Sequence, residues 1–344
     1  MIVRIKDIAE KAHVSMATVS LVINGKPGIS ERTREKVLKI AKELDYKIPE
    51  PSKQEKTGKG TIRFLKIAKH GHTVNRDHEV FIADYTDGLS REAMINGYGL
   101  EINTFQTGDI AELVDSVKSF GQRAIVALGT ELDFEDIEHF AELKIPIVFI
   151  DTYFDFFNYD FIDMNNIDAV FKIIQHFIDN GHHEIGFLRS PVKVKNFRLR
   201  EIGYKYALRH FQIPYNEKYV FSVDSTIDGA YSDMLQILKK GVKPPQALFS
   251  TNDIIAYGCI KALKERGFSI PDDVSIIGFD DLPMSAVMDP PLSTLKVSKT
   301  RIGKIAMKHA LIRVEEISSM PAEKVLVGGK LVCRQSVKNM KQYG

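Results

Sequence analysis

The stretch that decides the fold is IKDIAEKAHVSMATVSLVINGKPGISERTREKVLKIAKELDY, residues 5–46. Apolar side chains recur at helical spacing before the AHVS turn, again over about Met16–Ile23, and once more after Ser30. Ser15 and Ser30 stand at the N-cap positions of the second and third segments, and NGKPG between them breaks the helical pattern. Three short helices around one apolar core can place the second helix in the major groove of DNA, although the same spacing also fits any other three-helix subdomain.

Charge is unevenly distributed along the chain. The first 69 residues carry 16 lysines and arginines against 8 acidic residues, whereas the remainder carries 31 against 37. A solvated surface explains a high density of charge but not this imbalance of sign. A basic segment at the helix-turn-helix, followed by an acidic body, is typical of a nucleic-acid-binding module attached to a larger domain.

The composition of the 344 residues is that of a globular protein with two or three domains. No apolar run approaches the length of a membrane span, and the charged N-terminal segment is unlike a signal peptide. The two cysteines, Cys259 and Cys333, are too few for a disulfide framework. We therefore expect a cytoplasmic protein without a membrane segment, in which both cysteines pack as small apolar side chains.

A change of composition divides the chain after the helix-turn-helix. Residues 48–60 are rich in proline, glycine and charge, and are expected to link a DNA-binding domain, 1–47, to a larger domain, 61–340. Strand-like and helix-like segments then alternate from TIRFLKIA at 61–68 to VSIIGFD at 274–280. This alternation predicts a parallel α/β architecture in two halves, with a ligand cleft at the carboxyl ends of the strands.

These residues closely resemble the LacI/GalR family of bacterial transcription regulators. The resemblance is carried by DIAEKAHVSMATVSLVINGKPGISERTREKVLKIAKELDY and continues through NGYGLEI, GHHEIGFL, ALFSTNDIIAYGCIKALKERGFSIPDDVSIIGFDDLP and DPPLSTLKVSKTRIGKIA. It implies an all-α helix-turn-helix headpiece followed by a periplasmic-binding-protein-like core of two lobes with parallel sheets. The implied crossings between the lobes lie near Phe161, Pro291 and Pro321. They divide the larger domain into lobe one, 61–161 and 292–320, and lobe two, 162–290 and 321–340.

For the DNA-binding domain, the resemblance implies a set of residues that contact the duplex. The side chains expected to face base edges are Met16, Ala17, Ser20 and Leu21. Those expected to reach phosphates or sugars are Ser15, Thr18 and Asn24, with Lys26, Ser30, Arg32 and Thr33 beside them. Phosphate contacts set affinity and register, whereas base contacts set sequence preference.

Two departures from the family pattern concern DNA recognition. Leu21 stands where the family usually has an arginine that can fork onto guanine, so we expect an operator rich in A·T pairs beneath this helix. The linker lacks the Ala-Arg-x-Leu segment that forms a hinge helix and inserts a leucine into the minor groove, since 48–56 holds two prolines and no leucine. The behaviour of the linker on DNA is left open by the sequence.

For the larger domain, the resemblance implies a cleft that binds a small polar effector. The residues expected to hydrogen-bond the effector are Asp151, Arg200, Asn252 and Asp280, with Phe81 and Ile227 as apolar walls. Carboxylates, an amide and a guanidinium suit a hydroxyl-rich ligand such as a sugar. Helix caps or ion pairs between the lobes are the alternative roles for the polar residues, and Asp253 is expected to cap the helix that begins near Ile254.

A basic loop follows a predicted strand near the expected mouth of the cleft. Its cations are Lys193, Lys195, Arg198 and Arg200. They leave two alternatives open, a phosphorylated sugar as the effector or a loop whose charges are simply solvated.

The remaining polar motifs do not indicate a metal, cofactor or catalytic site. Five polar residues follow the first strand, but they fit no spacing of metal ligands, and a polar loop is the favoured interpretation. They are His70, His72, Asp77, His78 and Glu79. The sequence contains no phosphate-binding glycine motif and no nucleophile motif, so we expect no metal, no cofactor and no catalytic residue.

The sequence therefore predicts a homodimeric transcription regulator, a repressor, that binds a double-stranded operator and responds to a small polar effector. The alternatives are a solute-binding protein or an enzyme on the same two-lobed α/β fold.

Overall fold

The computed structural model describes residues 5–23, 29–44, 46, 58–315 and 320–343, except for the side chains of Ala17, Leu21, Glu31 and residues 342–343. The chain forms two compact units, residues 1–57 and 58–344. Most of the predicted linker, 48–60, lies outside the described residues, so its form stays a prediction.

The described residues of the N-terminal unit form three helices around a small apolar core. The helices are α1 (Ile5–Ala12), α2 (Met16–Ile23) and α3 (Glu31–Glu43). The buried side chains of the core are Ile8, Ala9, Ala12, Val19, Val22, Val37, Ile40 and Ala41. The helical periodicity of the sequence also predicts Leu38 in this core, and that prediction is wrong. Leu38 is 37% exposed, because its neighbours Val37, Ile40 and Ala41 fill the inner face of α3.

Serine side chains begin the second and third helices of this unit. Ser15 Oγ accepts a hydrogen bond from the backbone nitrogen of Thr18 at 3.1 Å, and Ser30 Oγ accepts one from the backbone nitrogen of Thr33 at 3.3 Å. His13, in the turn before α2, has a φ of +53°, a left-handed conformation that histidine adopts at modest cost. Both predicted N-caps are confirmed.

In the larger unit, the strands of the described ranges 58–315 and 320–343 form two six-stranded sheets. In chain order the strands are β1 (Thr61–Ala68), β2 (Gly99–Gln106), β3 (Ala124–Leu128), β4 (Ile147–Ile150), β5 (Asp160–Met164), β6 (Ile185–Arg189), β7 (Val220–Ser222), β8 (Ala247–Ser250), β9 (Ser275–Asp280), β10 (Ser293–Lys296), β11 (Lys324–Val327) and β12 (Lys330–Val332). The first sheet has the order β11-β5-β4-β3-β1-β2, and all neighbouring strands are parallel. The second has the order β12-β10-β9-β8-β6-β7 and is parallel except for β12. The predicted architecture of two parallel α/β lobes is confirmed.

Helices follow most strands and cover both sheets. They are α4 (Glu79–Ile95), α5 (Ile110–Lys118), α6 (Phe134–His139), α7 (Asn166–Asp179), α8 (Lys195–His210), α9 (Ile227–Lys239), α10 (Asp253–Glu265), α11 (Met284–Val287) and α12 (Lys299–Glu315). Because helices lie on both faces, central strands such as β3 and β4 are wholly apolar and buried. α12 packs along α4 so closely that a Cβ added at Gly88 or Gly303 would collide with a backbone oxygen of the other helix.

The chain crosses between the lobes a few residues later than the sequence indicates. β5 continues in the first sheet to Met164, β10 (Ser293–Lys296) pairs with β9 in the second sheet, and β11 (Lys324–Val327) joins the first sheet. The expected crossings near Phe161, Pro291 and Pro321 are therefore wrong in position. The two prolines precede strands that finish a sheet before the chain changes lobe, and proline is well tolerated just before a strand.

The two cysteines differ in exposure. Cys259 is buried within α10, as expected, whereas Cys333 is exposed. The expectation for Cys333 is wrong because this residue follows β12, which lies at the edge of its sheet and leaves one side of the chain uncovered. Among the described helices, none is both long and apolar enough to cross a bilayer.

Candidate functional site

Side chains from the carboxyl ends of both sheets meet in one small cavity between the lobes. Its lining residues are Thr73, His78, Phe81, Ile82, Thr130, Asp151, Val194, Asn196, Phe197, Arg200, Asn252 and Asp280. Five of the six residues that the sequence predicts for the effector site are among them. The free space between these side chains is about 30 Å³, roughly the room that one water molecule takes.

Asp151 lies directly after β4 and connects the two lobes. It adopts a left-handed backbone with a φ of +63°, and its Oδ1 accepts a hydrogen bond from the Tyr85 hydroxyl at 2.8 Å. Its Oδ2 accepts another from Thr130. Asn196 of lobe two donates from Nδ2 to the Asp151 carbonyl oxygen at 2.9 Å and to Oδ1 at 3.1 Å. Burial raises the pKa of Asp151 even though these donors favour its charged form.

Arg200 is buried and held by several partners at once. Its Nε donates to Asn166 Oδ1 at 2.9 Å and its Nη1 donates to the Thr251 carbonyl oxygen at 2.7 Å. The guanidinium stacks over Phe279, with its central carbon 3.7 Å from the ring centroid. These contacts fix the guanidinium so that its Nη2 lies 3.7 Å from Asp280 Oδ1.

Asp280 is strained and incompletely paired. It ends β9 with a φ of +120°, and its Oδ1 has no hydrogen-bond partner among the described residues. Burial raises its pKa to about 8, although the charge of Arg200 works in the opposite direction. Lys299 Nζ donates to the carbonyl oxygen of Asp280 at 3.0 Å. A buried carboxyl oxygen without a partner is an acceptor that a ligand hydroxyl can satisfy.

A third buried carboxyl beside this cavity, after Asp151 and Asp280, is that of Asp163, which is not among the residues expected from the sequence. It lies in β5, fully buried, and its Oδ2 has no hydrogen-bond partner within the described part of the chain. Burial, followed by the charge of Asp151, raises its pKa well above the usual value. The available signal was an aspartate between apolar neighbours in FIDM, residues 161–164, because a buried carboxyl needs a specific partner.

The structure gives His78 a different role from the one that the sequence indicates. It was interpreted as part of a polar loop, but the structure buries it in the wall of the cavity, with Nε2 3.2 Å from Asn252 Nδ2. Burial lowers its pKa to about 4, so the ring is neutral at physiological pH. His78 therefore helps to hold lobe one against lobe two.

Asn252, rather than Asp253, caps α10. Asn252 Oδ1 accepts a hydrogen bond from the backbone nitrogen of Ile255 at 2.9 Å. Asp253 is already inside the helix, and its carboxylate instead accepts from Thr294 Oγ1 at 2.6 Å and from Ser285 Oγ at 2.7 Å. The predicted capping role of Asp253 is wrong, because the helix begins one residue earlier than expected.

Of the two residues predicted as apolar walls, only Phe81 lines the cavity. Phe81 lines the cavity, and Lys299 Nζ lies 5.0 Å from its ring centroid. Ile227 does not line the cavity. It begins α9, where its backbone nitrogen lies 3.4 Å from Asp77 Oδ2.

The predicted DNA-facing residues are only partly described. Met16 is 57% exposed at the start of α2, and Arg32 is exposed on α3. The hydroxyls of Ser15 and Thr18 lie 2.9 Å apart, as do those of Ser30 and Thr33 at 2.8 Å. Ser20 is half-buried on α2. The side chains of Ala17 and Leu21, together with the whole of Asn24 and Lys26, lie outside the described residues.

The described residues contain no group of three or more histidine, cysteine or acidic side chains arranged to hold a metal ion.

Two models of known protein families match this chain. The model of bacterial regulatory proteins of the lacI family matches residues 4–49, and that of the periplasmic binding protein-like domain matches residues 174–337. A ribose operon repressor from Haemophilus influenzae is 31% identical over 90% of this chain and 91% of its own length. The transcriptional repressor CytR from Escherichia coli is 30% identical over 88% of this chain and 87% of its own.

Solved structures show the same overall fold. A lac repressor dimer bound to operator and the anti-inducer ONPF is 25% identical, with a TM-score of 0.71 over 98% of this chain and 100% of that one. A complex of the transcriptional regulator CelR with cellobiose has a TM-score of 0.72 at 22% identity, over 97% of this chain and 99% of that one.

Proposed function

Because this chain belongs to the LacI family of bacterial regulatory proteins and is a DNA-binding transcriptional regulator, we propose that it represses transcription until a hydroxyl-rich effector binds between its lobes. The observation that carries the proposal is Oδ1 of Asp280, which has no hydrogen-bond partner in the described part of the chain and is buried beside the fixed guanidinium of Arg200. A sugar hydroxyl can donate to Asp280 while it accepts from Arg200. The names of relatives agree with this class, since one is a ribose operon repressor.

The described conformation is closed. Cavities that hold small ligands usually enclose about 300–1,000 Å³, whereas the space between Asp280 and its neighbours is about 30 Å³. A sugar therefore enters only when the lobes move apart. The contacts that must lengthen include Asn196 to Asp151 at 2.9 Å and Asn252 to His78 at 3.2 Å.

Repression follows from this closure as a linked equilibrium. The effector binds the more open arrangement of the lobes, so it shifts the population away from the closed arrangement. If the closed arrangement binds operator more tightly, linkage requires that operator DNA weakens effector binding by the same factor. We place this equilibrium in a homodimer in the cytoplasm, where two N-terminal units meet the two halves of a near-palindromic operator.

Thermal unfolding with a panel of neutral sugars tests the effector site. A sugar that binds should raise the melting temperature of the wild-type chain, and Arg200→Ala should abolish that rise while operator affinity in a gel-shift assay stays near the wild-type value. Arg266→Ala, at an exposed arginine after α10, is the matched control. A ligand-induced rise that persists in Arg200→Ala would show that this arginine does not hold the effector.

Selection of binding sites from random DNA tests the operator. The expected sequence is a near-palindrome that is rich in A·T pairs beneath α2, because Leu21 offers only apolar contact, for example to a thymine methyl. Selected sites in which guanine dominates the positions beneath α2 would refute that preference. If the purified chain fails to bind genomic DNA fragments even at low salt, the assignment of DNA binding itself is wrong.

A further inference from the structure

A second cavity lies next to the one that contains Arg200 and encloses about 550 Å³. Most of its wall comes from residues 189–201 of lobe two, and Leu132, Asp133 and Phe154 of lobe one face them. Val194 and Phe197 line both cavities, so the two cavities adjoin. A volume of this size suits a ligand of the dimensions of a sugar derivative.

Cationic side chains dominate the lining of this second cavity. They are Arg189, Lys193, Lys195 and Arg198. Among the residues that the structure describes, Arg189, Lys193 and Arg198 form no ion pair. Lys195 Nζ lies over the ring of Tyr153, 5.1 Å from its centroid, and makes no ion pair with a described carboxylate either. The cavity therefore has positive charges that no carboxylate of the described chain neutralises.

The two acidic residues in the lining are already paired. Asp133 Oδ2 lies 2.7 Å from Lys69 Nζ, and Glu201 Oε1 lies 2.6 Å from Lys205 Nζ. Both of these lysines lie outside the lining of the cavity. Neither carboxylate is thus available to balance the cations that line the cavity.

The start of α8 adds a further attraction for an anion. This helix of 16 residues begins at Lys195, and its N-cap residue, Val194, has no side chain that can accept a hydrogen bond from the first turn. The first backbone N–H groups of a helix lack partners within the helix, and the helix dipole makes this end positive. Val194, Lys195 and Arg198 all line the cavity, so the first turn of the helix is part of its wall.

We infer that this second cavity binds the phosphate group of a phosphorylated effector, whose hydroxyl-rich part lies against Asp280 and Arg200 in the adjoining cavity. A phosphomonoester carries close to two negative charges and three acceptor oxygens, which match several separate cations and a helix N-terminus. A carboxylate, with one charge and two oxygens, would leave more of these donors unsatisfied. The inference rests on the proposed function, since it names the class of effector for that cleft.

Binding of labelled inorganic phosphate to the full chain tests the inference by equilibrium dialysis at constant ionic strength. We expect saturable binding to the wild type, and at least about tenfold weaker binding to the triple variant Arg189→Gln, Lys193→Gln, Arg198→Gln. The triple variant Lys239→Gln, Lys240→Gln, Lys243→Gln removes the same charge from an exposed segment at the end of α9 and should bind phosphate like the wild type. Absence of saturable binding to the wild type, or equal loss in both triple variants, overturns the inference.

Competition between labelled phosphate and a sugar phosphate tests whether the phosphate site and the effector cleft bind parts of one ligand. Glucose 6-phosphate should displace the labelled phosphate, whereas the same concentration of glucose should not. Displacement by glucose to the same extent as by glucose 6-phosphate would contradict the assignment.

Failure of this inference is distinguishable from failure of the proposed function. If phosphate does not bind but Arg200→Ala still abolishes the response to a neutral sugar, the second cavity is wrongly assigned and the effector cleft stands. If Arg200→Ala leaves the sugar response intact, the cleft itself is wrongly assigned. Operator binding by gel shift and the melting temperature should both be close to the wild-type values in both triple variants, which shows that each variant has folded.

Discussion

Glu131 accepts two hydrogen bonds from Thr73, one from the backbone nitrogen at 2.7 Å and one from the hydroxyl at 3.0 Å. The same buried carboxylate accepts further backbone hydrogen bonds from His70, Gly71 and Val74 at 2.8–2.9 Å. Burial alone would raise the pKa of Glu131, but the four backbone donors lower it below its usual value. The loop after β1 is thus wrapped around a single charged side chain.

Replacement of Glu131 by glutamine should destabilise the chain and loosen the contact between the lobes. The amide removes the charge and turns two N–H groups toward backbone donors, and we expect the free energy of unfolding in urea to fall by about 2 kcal/mol. The same loop carries the His72 carbonyl oxygen, which accepts a hydrogen bond from Ser225 of lobe two at 2.8 Å. Glu135→Gln, at an exposed position, is the control and should change stability by no more than about 0.5 kcal/mol. Equal stability of the two variants would show that the loop is held by other contacts.

Asp280→Asn should change how stability depends on pH. The pKa of Asp280 is raised to about 8, so between about pH 4 and pH 8 the folded chain holds a proton that the unfolded chain has released. Stability that depends on this proton is complete below about pH 4 and is lost as the pH rises through 8. Asparagine cannot titrate, and the variant should gain on the order of 4 kcal/mol relative to the wild type between pH 5 and pH 8.

Urea unfolding at both pH values measures this difference for Asp280→Asn. The control is Asp289→Asn, at a side chain that is 98% exposed. A constant difference between wild type and Asp280→Asn at the two pH values would mean that Asp280 is ionised throughout.

Arg313→Ala should be strongly destabilising. Arg313 donates to both oxygens of the buried Asp160, from Nε and Nη2, each at 2.8 Å. Burial would raise the pKa of Asp160, yet hydrogen bonds from His309, Arg313 and the Glu323 backbone keep it far below its usual value. Loss of the guanidinium leaves a buried charge with too few partners, which costs about 3 kcal/mol.

Urea unfolding measures the effect of Arg313→Ala, with Arg301→Ala as the matched control on the exposed face of the same helix. We expect the control to stay within about 0.5 kcal/mol of the wild type. A small effect at position 313 would indicate that His309 and Glu323 are sufficient to satisfy Asp160.

Thr294→Val should weaken the connection between β10 and α10. Thr294 Oγ1 donates to Asp253 Oδ1 at 2.6 Å, and valine has nearly the same shape without the donor. Because Asp253 is fully buried, the loss of one donor should lower the free energy of unfolding by about 1–2 kcal/mol. Thr300→Val, at an exposed position in α12, serves as the control for the change of side chain. Similar values for both substitutions would contradict a structural role for the Thr294 hydroxyl.

The features that sequence predicts well here are those that short segments determine. Ser15 and Ser30 were identified as N-caps because the cap contacts a residue three positions later. The parallel α/β lobes were predicted because the alternation of strands and helices is repeated many times. By contrast, the crossings near Pro291 and Pro321 were misplaced, because the choice of sheet for β10 and β11 depends on pairing with strands that are distant in the sequence.

At the cavity too, some residues were predictable from the sequence and others depend on contacts between distant segments. The resemblance pointed to Asp151, Arg200 and Asp280, and the structure brings them together. It gave no indication of Asp163 or His78, whose importance arises from burial by both lobes. A loop that looks polar and solvated in the sequence is buried when the second lobe packs over it. No local sequence pattern indicates that burial.

The close packing of α12 against α4 has a mechanical consequence. α12 is 17 residues long, about 25 Å, with Lys299 at its beginning beside Asp280 and Arg313 near its end on Asp160. Gly88 and Gly303 let the backbones of the two helices touch, so α4 and α12 form one closely packed pair in the first lobe. We therefore expect a shift that a bound molecule imposes at Lys299 to be passed along α12 toward Asp160, at the amino end of β5.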